Sequence, residues 1–199
     1  MSWIAMHSMQ GHLVRLETFS RVRHHVGLQH AGAYSSLWQY ILFAPADTPA
    51  GMQIHLDEIE RRRQHNQEVP YTIWSHRTNH IIGMIRYLDI QPTHRTLEIG
   101  PWITPAHHGD GSNVEAKLLL MEYAFESLAC IRIQFKTDAT NHTSQHSLTG
   151  IGATFEGCLR NHLITHNGRI RDSHIYAVYA DNWSHVKERM RMRIANKQR

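Results

Sequence analysis

The apolar residues between positions 114 and 128 recur with the period of an α-helix. The steps between them are four, three, four and three residues, which places them on one helical face: Val114, Leu118, Met121, Phe125 and Leu128. Ser112 is followed three residues later by Glu115, a pattern typical of a capping box. The spacing therefore predicts a helix that begins within a residue or two of Ser112 and buries one apolar face.

Alternation of apolar and polar residues predicts strands on both sides of this helix. The predicted strands cover residues 12–17, 71–75, 81–88, 96–103 and 131–136, and two more flank Asn167-Gly168. Further helices are predicted over residues 20–30, 52–64, 141–148 and 181–193. Residues 32–51 show no clean period and combine aromatic residues with prolines, which suits the lining of a pocket.

The order of these elements predicts how the strands pair. A helix between strands 96–103 and 131–136 implies a crossover connection and a parallel pair. The polar turn after residue 75 and the Asn167-Gly168 turn predict antiparallel hairpins. Pro101 cannot donate a hydrogen bond to a neighbouring strand, so we expect the pairing to be interrupted or bulged there.

Two glycines immediately precede the amphipathic helix. Gly109 and Gly111 lack a Cβ, so several backbone N–H groups can converge there on one anion. The helix dipole adds to the attraction. An ordinary turn ahead of a core helix is the alternative explanation, so the loop predicts a phosphate site only together with support from neighbouring segments.

The chain has 199 residues, 41% of them hydrophobic, which is enough for one full core and too little for two. Its formal net charge is +4, and the excess lies after position 186, where one acidic residue, Glu188, accompanies six basic ones: Lys187, Arg189, Arg191, Arg193, Lys197 and Arg199. The rest is nearly neutral, which favours a solvated terminal helix over a nucleic-acid surface. We expect an extension at 1–11, one domain at 12–186 and a basic tail at 187–199.

The cysteines and histidines of the sequence, and its lack of long apolar runs, bear on the cellular compartment and on metal binding. Cys130 and Cys158 are far apart without a Cys-x-x-Cys pair, which predicts two buried free thiols in a reducing cytoplasm. Neither a signal peptide nor a run of about 18 apolar residues is present, so no membrane partner is expected. Among 18 histidines, His142 and His146 lie one helical turn apart, but a zinc site needs more ligands than this pair, so no metal is expected.

Several sequence blocks occur in an order that resembles the GNAT superfamily of acyl-CoA-dependent N-acetyltransferases. The blocks are EIGPWITP at 98–105, HGDGSN-x-EAK at 108–117, KTDATN-x-x-S at 136–144, GATFEGCLR at 152–160 and NGRIRD at 167–172. The chain resembles the branch that includes the ribosomal-protein alanine N-acetyltransferases. The resemblance covers about residues 12–186 and implies an α/β (α+β) fold: a mixed, mostly antiparallel central sheet with a splayed parallel strand pair and helices on both faces.

The resemblance also implies a site for acetyl-CoA as co-substrate. The superfamily's pyrophosphate signature, Gln/Arg-x-x-Gly-x-Gly/Ala, maps onto His108, Gly111 and Asn113, and departs from it at the first and third positions. The backbone beyond the strand break is implied to bind the pantetheine arm as an added strand. Asn141 and Ser144 are implied to meet this arm, with a helix cap and a solvent-facing serine as alternatives. The implied cofactor-binding residues are Trp102, Ile103, His108, Gly109, Asp110, Gly111, Ser112, Asn113, Asn141 and Ser144.

Acetyl transfer from a thioester to an amine needs a neutral amine, a held carbonyl and an exit for the thiolate, but no enzyme nucleophile. Glu98 lies on the strand face opposite Leu97 and Ile99 and is the candidate general base. Its alternative role is an ion pair with a basic residue of a neighbouring strand. Ser144 is the candidate donor to the leaving sulfur, with Tyr123 and other tyrosines as alternatives. Main-chain N–H groups at the break are expected to stabilise the oxyanion.

The expected acceptor is a primary amine on a protein N-terminus, an amino acid or a small molecule. Four side chains are candidates for its pocket, with core packing as the alternative: Trp38, Tyr40, Met52 and Trp74. A binding module that senses acyl-CoA with little activity is the alternative function, suggested by His108 and by the Asp110 carboxylate beside an anion site. An RNA- or ribosome-associated adaptor rests on the basic tail alone, and a homodimer rests on the resemblance.

Overall fold

An eight-stranded sheet forms the centre of the fold in a computed structural model, which describes residues 3–197. The strands are β1 (Met9–Gln10), β2 (Val14–Thr18), β3 (Glu68–Ser75), β4 (Ile81–Gln91), β5 (Thr96–Ile103), β6 (Arg132–Asp138), β7 (Thr154–Ile164) and β8 (Ile170–Tyr179). The helices are α1 (Arg21–Gly32), α2 (Pro49–Gln64), α3 (Ser112–Glu122), α4 (His142–Ile151) and α5 (Trp183–Ala195). Their order along the chain is close to the one that periodicity predicts.

The strand order is β1-β2-β3-β4-β5-β6-β8-β7, and every neighbouring pair is antiparallel except β5 and β6. The parallel pair is the one that the intervening helix α3 predicts, because a crossover connection leaves the two strands pointing the same way. The predicted hairpin is also present: β7 and β8 pair across a turn in which Gly168 has a φ of +81°. The predicted mixed, mostly antiparallel sheet is therefore confirmed.

The parallel pair separates after three residues. Thr96, Leu97 and Glu98 pair with residues 132–134 of β6, and beyond them β5 pairs only with β4 while β6 pairs only with β8. The register with β4 runs without a shift past Pro101, which lies opposite Ile85. The predicted interruption is thus on the β6 side alone and begins after Glu98, and no bulge occurs at Pro101.

Helices cover both faces of the sheet and enclose two apolar cores. On one face, α1 and α2 pack on β4 and β3 around a core that includes Leu28, Leu56 and Met84. On the other face, α3 packs against β2, β5 and α5. The larger core lies on that side and takes in the predicted apolar stripe, with Met121 fully buried. No helix within residues 3–197 is both long and apolar enough to cross a membrane.

The α3 N-terminus differs from the predicted capping box. Gly111, in a left-handed conformation, precedes the first helical residue, and Ser112 makes no capping bond. The Ser112 N–H instead donates to Asp110 Oδ1 at 2.9 Å. Glu115 turns away from its own helix and accepts three backbone N–H bonds from residues 12–14, at 2.6–2.9 Å. The capping-box assignment is wrong because Glu115 finds its donors a hundred residues upstream.

We expect Glu115→Gln to lower the free energy of unfolding by about 2 kcal/mol, because an amide would point a donor at N–H groups that now share a carboxylate. Urea denaturation measures the change. The control is Glu122→Gln on the same helix, whose carboxylate pairs at the surface with Lys187 and Arg191, with an expected loss below about 1 kcal/mol. Equal losses for the two variants would contradict the structural role of Glu115.

One cysteine differs from expectation, and the predicted last helix is packed rather than solvated along one side. Cys130 is buried as predicted, but Cys158 is exposed on the edge strand β7, so the prediction of two buried thiols is wrong for Cys158. Residues 187–195 continue α5, and its apolar side chains Met190 and Ile194 pack into the larger core. The basic segment therefore belongs largely to a packed helix; its last residue, Arg199, lies outside the described residues.

Candidate active site

A cavity of about 910 Å³ opens where β5 and β6 separate. Its walls are the end of β5, residues 135–138 of β6, the glycine loop, the first turns of α3 and α4, and residues 36–37 and 40–43. The splay of the sheet and the loop before α3 therefore line one continuous space. The cavity joins a helix N-terminus to a strand that has no neighbour on its β6 side.

The glycine loop has the backbone shape that the sequence predicts for an anion site. Gly109 and Gly111 have φ values of +81° and +98°, a region that other residues rarely adopt. Both glycines line the cavity together with His108 and Asn113. His108, which stands where the family signature has Gln or Arg, contacts the Ile103 carbonyl oxygen through Nε2 at 3.0 Å.

Asp110 and Ser112 do not line this cavity, unlike the other predicted residues of the loop. The Asp110 carboxylate contacts His107 Nδ1 at 2.7 Å and the Arg77 guanidinium at 3.5 Å. Ser112 is buried at the start of α3. Because the acidic side chain of the loop points elsewhere and is paired, it does not oppose an anion in the cavity.

Gly111→Val is expected to lower CoA affinity by about tenfold or more, because a β-branched residue at this φ adds about 1–3 kcal/mol of strain that the loop relieves by changing shape. A Cβ at this position would also lie 2.8 Å from Leu13 Cδ1. Calorimetric titration with CoA measures the change. Gly168→Val is the matched control, since its φ is +81° in a distant turn with open space around it. Loss of affinity in both variants would point to general destabilisation.

The position of Glu98 fits both roles considered for it, that of a general base and that of an ion-pair partner for a neighbouring strand. Its side chain lines the cavity and the residue is only 6% exposed. The carboxylate oxygen Oε2 accepts from Lys136 Nζ at 3.0 Å and from Gln134 Nε2 at 3.1 Å, both on β6. Glu98 therefore stands at the point of separation, held by the ion pair that the structural alternative predicts and open to a ligand.

Asn141 and Ser144 line the same cavity at the start of α4. Asn141 Oδ1 accepts from the Ser144 N–H at 3.0 Å, so this residue caps the helix. Ser144 is half-buried. Tyr123 is not part of the site: its hydroxyl donates to the Ala5 carbonyl oxygen at 3.3 Å and accepts from the Ala5 N–H at 3.1 Å. Ser144 thus keeps a position that suits contact with a ligand, and the tyrosine alternative is wrong for Tyr123.

The aromatic candidates for the acceptor pocket separate into two groups. Tyr40 lines the cavity, and its carbonyl oxygen accepts from the Arg171 guanidinium at 3.2 Å. Trp38 is 1% exposed and packs against Trp102 with ring centroids 5.5 Å apart. Trp74 lies outside the cavity wall, beneath the guanidinium of Arg15. The structure corrects the assignment of the two tryptophans to the pocket, as it does for Met52, which is buried in the smaller core.

Lys117 is a buried charged residue of the cavity that the sequence did not single out as a site residue. It lines the cavity from α3, is 2% exposed, and donates from Nζ to Ser147 Oγ at 3.3 Å. Burial, followed by the positive charge of Arg193, lowers the pKa of this amine to about 8. The available signal was a single charged residue among the otherwise apolar residues 116–121.

A slot between parallel strands that opens onto a helix N-terminus suits an acyltransferase with a nucleotide-linked donor, and the protein falls in that class. Residues 21–154 match the sequence profile of the acetyltransferase (GNAT) domain, and the chain belongs to this family. The predicted family is confirmed.

One curated relative and two solved structures illustrate what the chain is similar to. It is 29% identical to the ribosomal-protein-serine acetyltransferase of Escherichia coli (strain K12) over 102 residues, which are 51% of this chain and 56% of that protein, so the match spans little more than half of the relative. A crystal structure from T. thermophilus, described as that of an acetyltransferase, has a TM-score of 0.88 and 30% identity over 96% of this chain and 99% of its own. Mycobacterium smegmatis RimJ in complex with CoA-disulfide shares the fold, with a TM-score of 0.75 and 17% identity over 89% of this chain and 87% of RimJ.

Proposed function

We propose that the protein transfers the acetyl group of acetyl-CoA directly to a primary amine. The observation that carries the proposal is the continuous cavity that runs from the glycine loop to the separated strands. In this proposal a phosphate would lie at the loop end and the thioester at the strand end. The CoA complex of the structural relative RimJ supports the same cofactor. Trp102 and Ile103 would offer backbone groups on the open side of β5 to the pantetheine amides.

In this proposal Glu98 accepts a proton from the acceptor amine, directly or through a water. The neutral amine attacks the thioester carbonyl carbon, and backbone N–H groups beside the slot stabilise the oxyanion. The C–S bond then breaks as the tetrahedral intermediate collapses, and the amide product forms. Ser144 donates a hydrogen bond to the departing sulfur. The nitrogen of the intermediate still carries one excess proton, which passes to the thiolate to give the CoA thiol, and the proton taken up by Glu98 leaves to solvent.

An acceptor screen with labelled acetyl-CoA tests activity and substrate class together. The panel contains peptides with free and blocked α-amines, free amino acids and small amines, and it includes N-terminal peptides of ribosomal proteins because the Escherichia coli relative is named for such a substrate. We expect label in at least one free-amine member and none in its blocked counterpart. Protection of the fold by acetyl-CoA without transfer to any amine would favour the sensor module instead. The paired, outward position of Asp110 removes one of the two arguments for that module.

A homodimer is part of the same proposal. Phe155 and Leu159 lie half-exposed on β7, which is an edge strand of the sheet. Unpaired edge strands are common sites of association between copies of a chain. Light scattering coupled to gel filtration tests the oligomeric state. A cytoplasmic location remains a separate prediction.

A further inference from the structure

The basic side chains that line the two ends of the cavity differ in whether a carboxylate lies close to them. Around Glu98 each basic side chain of the wall has a carboxylate close by: Lys136 with Glu98 at 3.0 Å, Arg86 with Glu68 at 3.2 Å, and Arg171 with Asp138 at 3.8 Å. Asp138 is shared with Arg169, whose guanidinium is its closer partner. The end where transfer occurs therefore has a carboxylate close to each of these cations and less unpaired positive charge than the glycine-loop end.

The glycine-loop end is different. Its wall contains Lys117, Arg193 and Lys197, and within residues 3–197 none of the three has a carboxylate within ion-pair distance. The carboxylate of the loop itself, on Asp110, is paired with His107 and Arg77. Three positive charges thus meet at one end of the cavity without a negative partner.

Two of these cations come from the basic end of the chain, Arg193 in α5 and Lys197 just after it. The Lys197 Cβ lies 3.5 Å from the position that a Cβ would take at Gly111, so this side chain runs beside the glycine loop. The guanidinium of Arg193 lies directly against Gly150 of α4, where any side chain would displace it. Arg193 also acts electrostatically on Lys117. The basic segment therefore forms an outer wall across α3 and α4.

We propose that Arg193 and Lys197, with Lys117 behind them, bind the 3′-phosphate of the CoA ribose. This inference rests on the proposed acyl-CoA function. The loop N–H groups and the α3 dipole account for the pyrophosphate. The pantetheine leaves the pyrophosphate toward the slot, so the ribose leaves it on the other side, toward α5. A phosphate monoester there carries a charge of about −1.5 to −2 at neutral pH and matches the unpaired cations.

Such a site would discriminate among acyl donors by the presence of the 3′-phosphate. Dephospho-CoA and acyl groups on a carrier-bound phosphopantetheine share the thioester arm with acetyl-CoA but lack the 3′-phosphate. The site would therefore select acyl groups on CoA itself. Because the selecting residues stand apart from Glu98, donor choice and chemistry can be measured separately.

Calorimetric titration of the full chain with CoA and with dephospho-CoA tests the proposal. Wild-type protein is expected to bind CoA at least tenfold more tightly than dephospho-CoA. The double variant Arg193→Gln/Lys197→Gln is expected to bind the two ligands within about threefold of each other, through loss of CoA affinity alone. Arg191→Gln is the matched control, since this α5 residue pairs with Glu122 outside the cavity and is expected to keep the wild-type ratio.

The outcomes separate this inference from the function on which it rests. Equal affinities of the wild-type protein for both ligands, or an unchanged ratio in the double variant, would overturn the 3′-phosphate site and leave acetyl-CoA binding in place. Absence of binding to either ligand would refute the proposed function, and the inference with it. A ratio that falls equally in Arg191→Gln would show a general charge effect and also overturn the assigned site.

Discussion

Glu98→Gln is expected to lower kcat by about 100-fold or more, within the range that general bases contribute, while the Kd for acetyl-CoA changes little. Glutamine has nearly the same shape and keeps one oxygen that can accept from Lys136 and Gln134, as the carboxylate does now at 3.0 and 3.1 Å. What it loses is the ability to take a proton from the amine. Steady-state kinetics with the best acceptor of the screen, together with calorimetry for acetyl-CoA, separates the two effects.

The control for this variant is Glu156→Gln, which removes a carboxylate paired with Arg132 outside the cavity. We expect its kcat to stay within twofold of wild type. An unchanged kcat in Glu98→Gln would assign Glu98 to the structural role alone, as the partner that neutralises Lys136. A parallel loss of acetyl-CoA affinity would mean that the substitution disturbed the slot itself.

Lys117→Met is expected to raise the free energy of unfolding by about 3 kcal/mol at neutral pH and to weaken CoA binding. Burial lowers the pKa of this lysine from 10.5 to about 8, and such a difference corresponds to about 3 kcal/mol spent on keeping the buried amine charged. Methionine fills similar space without a charge. The variant would therefore exchange function for stability, a common outcome at binding sites.

The pH dependence of the free energy of unfolding tests whether the buried charge causes this gain in stability. Because the pKa is lower in the folded than in the unfolded state, the unfolded state binds more protons between about pH 8 and 10.5. The free energy of unfolding of the wild type should then approach that of Lys117→Met as the pH rises through this window. The full advantage of the variant should be present below pH 8. Chemical denaturation at pH 7 and pH 10 measures it. A difference that does not depend on pH would attribute the gain to packing. Lys187→Met, at a surface ion pair, is the control and should lose up to about 1 kcal/mol.

The fold was predictable because its signals are local. The strand over Thr96–Ile103 and the helix that begins at Ser112 follow from periodicity, and the parallel pair follows from the helix between two strands. The misplaced capping box shows the limit of this reasoning. Ser-x-x-Glu spacing suggests a local bond, but the donors to Glu115 are the backbone N–H groups of residues 12–14, which no local pattern connects to it.

The candidate site was predictable only where it follows the backbone. Gly109, Gly111 and the end of β5 line the cavity because the conformation of the chain puts them there. Side-chain direction was not predictable from residue type: of two neighbouring aromatic residues, Trp38 is buried and Tyr40 faces the cavity. Arg193 reaches Gly150 only through the packing of α5, so a count of basic residues at the end of the chain suggested a tail.

Where β5 separates from β6, each of the two strands has backbone hydrogen-bonding groups with no strand opposite them. Such groups readily recruit an extended segment from another molecule, which is a route to aggregation. A slender ligand with amides occupies the same groups and, by mass action, adds about 2.7 kcal/mol to folding at a hundredfold excess over its Kd. The supply of acyl donor would then set the thermal stability of this protein as well as its rate of turnover.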